Sequence, residues 1–201
     1  MKTLSDTAKR YLKSFALQQP NKIAILSFTM LLLVFGSGCK KDSAITTEEE
    51  QNKNTSSLVA ESNLFGSDLS LQTIWELQQA KIATAKYNNF QQAINDGYID
   101  INVIVPEMGY HYLKMDRLNA TFEYDKPEIL VYSREENGRM KLVALEYAVP
   151  ISQSPVEPAG FTGNNDHWSV YQGTLWTLHA WVWEPNPAGV FNPTNPNVHL
   201  H

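Results

Sequence analysis

A chain of 201 residues can hold one domain of ordinary size together with an exported leader. Its composition, 43% hydrophobic and 18% charged, excludes a chain that is disordered throughout. Of the 16 basic and 21 acidic residues, five basic (Lys2, Lys9, Arg10, Lys13, Lys22) and one acidic (Asp6) fall within positions 1–38, so the rest carries 11 basic against 20 acidic side chains and disfavours nucleic acid as a partner.

The first element in chain order is apolar. Basic residues end at Lys22, and Ile23–Phe35 follows as an unbroken run of 13 largely apolar residues. As a helix that run is about 20 Å long against about 30 Å of hydrocarbon, too short to span a bilayer and the right length for the h-region of a signal peptide. Gly36, Ser37 and Gly38 precede Cys39, the only cysteine of the chain. A lone cysteine is ordinarily a buried thiol, but this one follows the apolar run directly, where no core exists. The segment Leu32–Cys39 resembles a bacterial lipobox. That resemblance implies cleavage after Gly38, diacylglycerol on the Cys39 thiol and acylation of the new amine; more than one chain is needed because a single acyl chain anchors only marginally. The expected organisation is a signal peptide over 1–38, lipidated Cys39 opening a tether over 39–68, and one globular domain over 69–201. The expected location is the bacterial cell envelope, held to the outer membrane by lipid, on its periplasmic or surface face. With Cys39 consumed, no disulfide can form.

Between Lys40 and Asp68 the composition is polar, with Glu48-Glu49-Glu50 and an almost wholly polar stretch over 51–57. Such a segment cannot bury enough surface to offset its ordering entropy and reads as a tether. Lys40-Lys41-Asp42 resembles export signals of surface-exposed lipoproteins in Gram-negative bacteria, and Asp42-Ser43-Ala44 resembles a periplasmic O-glycosylation acceptor.

The folded part opens with a helix. Leu71, Ile74, Trp75, Ile82, Ala85, Ala93 and Ile94 recur at helical spacing, Asp68 or Ser70 can cap the start, and Gly97 can close the end, which predicts one long helix over 70–96. Trp75, Tyr87 and Phe90 are expected to pack against a sheet. After Gly97 the period becomes two: Ile99, Ile101, Val103 and Val105 mark a strand stopped by Pro106. Strands over 128–133 and 139–149 flank Asn137-Gly138, a hairpin signal. Another over 174–183 alternates bulky residues, and the Pro- and Asn-rich stretch from Pro185 to Val198 reads as loop. The fold class is α+β, with one long N-terminal helix packed on a mainly antiparallel β-sheet and a loop-rich C-terminus.

Four segments occur in order: Gly109–Tyr112, Pro127–Tyr132, Leu142–Pro150 and Leu178–Phe191. Together they resemble a widespread family of uncharacterised exported bacterial proteins over about residues 75–198. The resemblance implies export and no particular activity. One departure is that members of that family often end in an Asn-Pro-x-Val segment followed by cysteine, whereas here Asn195–Val198 leads to His199-Leu200-His201.

Three residues stand out chemically. Glu146 is in phase with Met140, Leu142, Ala144 and Ala148 on an apolar strand, where a carboxylate costs several kcal/mol unless paired or metal-bound. His179 lies between Trp176 and Trp181, surroundings that favour the neutral imidazole that binds metal. His111 follows a glycine just past a strand end, in what reads as a loop. Two imidazoles and a carboxylate make a divalent-metal set with an open position for water, to which His199 and His201 can add. The same residues also fit a plain core, with the histidines satisfied by backbone and Glu146 paired to Arg139 or Arg117. A separate reading places Trp168, Tyr171, Trp176, Trp181, Trp183 and Phe191 along an aromatic groove for a sugar, peptide or apolar ligand, or simply in the core. No Gly-x-Ser-x-Gly elbow, phosphate loop, dinucleotide fingerprint or His-Glu-x-x-His is present, and Glu123, Glu128, Glu146 and Glu184 define no glycosidase pair. The expected function is that of an envelope lipoprotein that binds a ligand or serves structure, joined to the membrane by its lipid. The small-molecule, glycan or protein partner is left open. The alternative is a divalent-metal-binding protein, with a metal-dependent enzyme as its extension.

Overall fold

A computed structural model of the protein describes residues 65, 66 and 68–201. The segments expected to be a signal peptide and a lipidation site at Cys39, and nearly all of the expected tether, lie outside the described residues. Phe65, assigned by composition to the tether, is buried in the core, so the folded part reaches back at least that far. No helix among the described residues is long and apolar enough to cross a membrane.

Helix α1 runs over Leu71–Thr84, continues as a 3-10 turn over Ala85–Asn88, and gives way to a short α2 over Phe90–Asn95. Ser70 caps α1, its hydroxyl accepting from the Thr73 amide at 3.0 Å. The single helix expected from the apolar spacing is broken at Asn89, whose extended backbone and side chain (accepting from the Gln91 amide at 3.2 Å) start α2 afresh. The break turns Phe90 onto the sheet, where its ring meets Tyr112 and Tyr132 edge-on at 5.0 and 5.1 Å. Gly97, at φ +93°, ends α2 in a Schellman motif: its amide reaches the Ile94 carbonyl, and the Tyr98 amide reaches Ala93.

Among the described residues six strands form one antiparallel sheet in the order β1-β2-β3-β4-β6-β5, which makes the domain α+β. They are β1 (Ile99–Val105), β2 (Gly109–Leu113), β3 (Ile129–Arg134), β4 (Met140–Pro150), β5 (Ser169–Tyr171) and β6 (Leu175–Ala180). Asn137-Gly138 turns the chain from β3 to β4 as expected, with Gly138 at φ +82°. Strands β2 and β5 were not legible in the sequence. β5 has only three residues and is joined to β6 through Gln172 and Gly173, both at positive φ, a type I′ turn.

The helices cover one face of the sheet. Tyrosines fill this layer with their hydroxyls satisfied: Tyr98 donates to the Pro127 carbonyl, Tyr132 to Tyr87 and Tyr147 to Tyr124, at 2.7–2.8 Å. The excursion over 151–168 is tied to α1 at Glu76, whose carboxylate accepts from both the amide and the hydroxyl of Thr162. On the opposite face the sheet curls around a hollow. Two irregularities help it to do so: register shifts between Asp100 and Ile104 in β1 and between Val131 and Tyr132 in β3. By the second shift, Leu142 faces Tyr132 on the helix side while Ala144 faces Val131 on the hollow side, so Glu146 shares its face with Ala144 but not with Leu142.

Gly109 opens β2 at φ +125°, and a Cβ there would collide with the Tyr132 carbonyl of the neighbouring strand. Gly109→Ala is therefore expected to cost about 1–3 kcal/mol in urea unfolding and to pull the start of β2, two residues from His111, off β3.

Candidate functional site

Three strands each send one polar side chain into the hollow: His111 from β2, Glu146 from β4 and His179 from β6. Register accounts for their meeting. Glu146 pairs directly with His179 across β4 and β6, and with Ile129 on its other side. His111 lies opposite Val131, one row along and two strands away from Glu146, and the curl of the sheet brings it across. All three are at most 7% exposed. His111 Nε2 lies 3.5 Å from Glu146 Oε2, and His179 Nε2 lies 3.8 Å from Glu146 Oε1. One donor atom from each residue fits within 4.8 Å of the other two.

Backbone fixes the tautomer of His111. Its Nδ1 stands 3.0 Å from the Val103 carbonyl, which can only accept, so Nδ1 carries the hydrogen and Nε2 keeps its lone pair. Val103 sits inside the β1 irregularity, beside Asn102 at φ +55°. The sequence read β1 as regular and His111 as a loop residue; the structure places His111 mid-strand, oriented by that irregularity. His179 stacks on Trp181, with ring planes 15° apart and centroids 6.1 Å apart. Its Nε2 is buried and has no hydrogen-bond partner among the described residues. An orphaned buried nitrogen costs about 1–3 kcal/mol, which calls for an explanation.

No lysine or arginine among the described residues pairs with Glu146. Arg139 is engaged with Glu135, and Arg117 with the Tyr98 hydroxyl and the Pro127 carbonyl, so neither is the partner that a plain core would require. Burial alone pushes the Glu146 carboxyl up to about 8, with the Thr177 hydroxyl working weakly the other way. Burial also holds His111 down at about 4 and His179 at about 3. The free site therefore carries no charge near neutrality: a protonated carboxyl and two neutral rings.

The hollow has a volume of about 360 Å³. Its walls are mostly aliphatic, with Ile101, Val103, Leu113, Ile129, Val170 and Leu175 among them, and no lysine or arginine lines it among the described residues. No tryptophan lines it either. Trp168 packs edge-on to Phe122, Trp176 donates to the Ser154 carbonyl, Trp181 donates to Asn192, and Trp183 donates to the Thr84 hydroxyl. The four indoles thus take separate partners, and Trp181 is fully buried. His199 and His201 are exposed and are not part of the three-residue cluster. Sequence reasoning missed Thr177, the Val103 carbonyl and the contribution of β5. Only Thr177 left a signal, two residues before His179 and hence on its face.

The donor set suits a transition-metal ion. Ligands at about 2.0–2.1 Å around a tetrahedral ion stand roughly 3.3 Å apart; here the two Nε2 atoms lie 3.5 and 3.8 Å from different oxygens of Glu146 and one donor per residue fits within 4.8 Å, so the side chains would draw in around an ion. An ion would accept the lone pairs of both Nε2 atoms and neutralise the carboxylate. The Nδ1–H of His111 on a backbone carbonyl is the outer hydrogen bond that metal-bound histidines ordinarily make. Compared with known proteins, the chain matches no family model, no curated protein and no solved structure.

The metal-free site sets a pH profile of stability. Glu146 and the equally buried Glu128 hold their protons to about 8 in the folded chain against an ordinary 4.5, so the folded state binds the extra protons and stability falls as pH rises from about 4.5 through 8. The imidazoles act oppositely. They stay neutral in the fold to about 4 and 3 against an ordinary 6.5, so stability falls as pH drops below 6.5. Between about 4.5 and 6.5 these contributions cancel. In chelator, urea midpoints should be flat across that window and decline on both sides, with Glu146→Gln removing about half of the alkaline decline. An alkaline decline as steep in Glu146→Gln as in the wild type would show that Glu146 is ionised in the fold.

Proposed function

We propose that the protein is a metal-binding component of the bacterial cell envelope, exported, lipid-anchored through Cys39, and holding one divalent transition-metal ion on His111, Glu146 and His179. The observation that carries the reading is the convergence of a cation-free buried carboxyl and two imidazole Nε2 atoms, one of them orphaned, in an aliphatic hollow. Two nitrogens and one oxygen favour zinc or ferrous iron over calcium or magnesium, which prefer all-oxygen shells. Three protein ligands leave at least one coordination position facing the hollow, the arrangement that catalytic sites keep and structural zinc sites close. Three of the four segments that resemble the exported family, Gly109–Tyr112, Leu142–Pro150 and Leu178–Phe191, each supply one donor.

Full-length protein purified in detergent and dialysed against zinc or, without oxygen, ferrous iron should retain close to one ion per chain, and a His111→Ala/His179→Ala variant of unchanged circular dichroism should retain none. His111→Ala alone should weaken binding at least about tenfold, since outer-shell changes alone cost that much and this one removes a ligand. A folded wild-type chain that stays metal-free after exposure to both ions would sink the reading.

A further inference from the structure

The charge of the filled site and the shape of the space beside it specify a ligand. A divalent ion, one carboxylate and two neutral imidazoles leave one net positive charge. Among the described residues that line the hollow nothing cancels it, since Glu146 is their only acidic side chain. An uncompensated charge in apolar surroundings is costly. A monoanion on the open coordination position removes that charge; a dianion overshoots it, and a neutral or cationic group leaves it standing.

Hydroxide would also balance the charge, but it would leave the hollow unfilled. At about 360 Å³ the space is more than twice the ~150 Å³ that accommodates benzene, enough for roughly a dozen non-hydrogen atoms. Its walls are those of an apolar body: Ile101, Val103, Leu113, Ile129 and Leu175 close around it, and the flexible thioethers of Met108 and Met115 can adjust to its outline. The hollow meets solvent beside the edge strand β5, where Ser169, paired with Thr177 on the hollow face, is exposed, as is Pro193 of its lining.

We infer that the hollow binds an amphiphilic monocarboxylate, its carboxylate completing the coordination of the metal and its apolar body of about a dozen non-hydrogen atoms lying against the aliphatic walls. The inference rests on the metal reading above. A straight-chain acid and an aryl-alkyl acid share this chemistry, and the choice between them is made by experiment.

Cobalt(II) provides the readout, because its visible absorption changes with the number and kind of ligands. The full-length protein in detergent is loaded with cobalt and titrated with phenylbutyrate and with octanoate, then with acetate, phenylbutanol and phenylbutylamine. At least one of the two longer acids should change the cobalt spectrum saturably and bind at least about tenfold more tightly than acetate, through the added apolar burial, and than the alcohol, through the charge; the amine should give no change. Ser169→Asp, an exposed change that puts an anion beside the hollow, should weaken the preferred acid by about threefold or more while leaving cobalt affinity within about twofold. Failure to bind cobalt would overturn the metal reading and this inference with it. Cobalt bound normally, with both long acids no tighter than acetate or the alcohol, would overturn this inference alone.

Discussion

Burying a carboxyl group among aliphatic side chains costs several kcal/mol unless the group is protonated, paired or bound to a cation, and no lysine or arginine among the described residues pairs with Glu146. Much of the chemistry around it follows from that placement. Without metal the carboxyl keeps its proton to about 8, and the two rings beside it stay neutral. Were a metal bound as proposed, the same group would supply the negative charge that holds the ion. The neutral cluster is tolerable in an apolar hollow, yet it leaves the His179 Nε2 without a hydrogen bond. Such a site is stable enough to be preformed and incomplete enough to bind.

Preformation depends on the sheet. His111 and Glu146 are separated by the width of a strand, and a flat sheet would hold them apart. Curling closes that distance, and the β1 irregularity that accompanies the curl also turns the Val103 carbonyl toward His111 Nδ1. One local departure from regular pairing therefore serves both the shape of the hollow and the tautomer of a ligand. The tyrosine layer on the other face supports it, since the hydroxyls of Tyr98, Tyr132 and Tyr147 tie helices and loops to the back of the sheet.

Much of this architecture could be read from the residues, and the failures have physical causes. β1, β4 and β6 were visible because apolar residues alternate over six or more positions, and the β3–β4 hairpin because Asn137-Gly138 marks it. β2 was lost because Gly-Tyr-His-Tyr-Leu is short and carries a histidine inward. β5 was lost because three residues cannot show a period. The helix break at Asn89 escaped because Ala93 and Ile94 prolong the apolar spacing across it, while the restart is decided by one asparagine side chain. At the site, each of the three residues was conspicuous as a polar group in apolar company. Their convergence was not legible, because it arises from curl and register across strands far apart in the chain. The tryptophans misled in the opposite sense: their number suggested a groove, but each is positioned by a different loop or helix.

The sheet order β1-β2-β3-β4-β6-β5 has a consequence in time. Each of the first four strands pairs with its neighbour in the chain, through tight turns at β1–β2 and β3–β4 and a longer loop over 114–128 between β2 and β3, so that His111 and Glu146 come into register before the rest of the sheet is made. The third side chain, His179, follows only after the excursion over 151–168 and the β5–β6 turn, on the last of the described strands. If the cluster holds an ion as proposed, a growing polypeptide would offer it at most two of the three ligands until β6 has been made and paired. Occupancy would then report that the sheet is complete, and a copy cut short before β6 could not compete for the metal on equal terms.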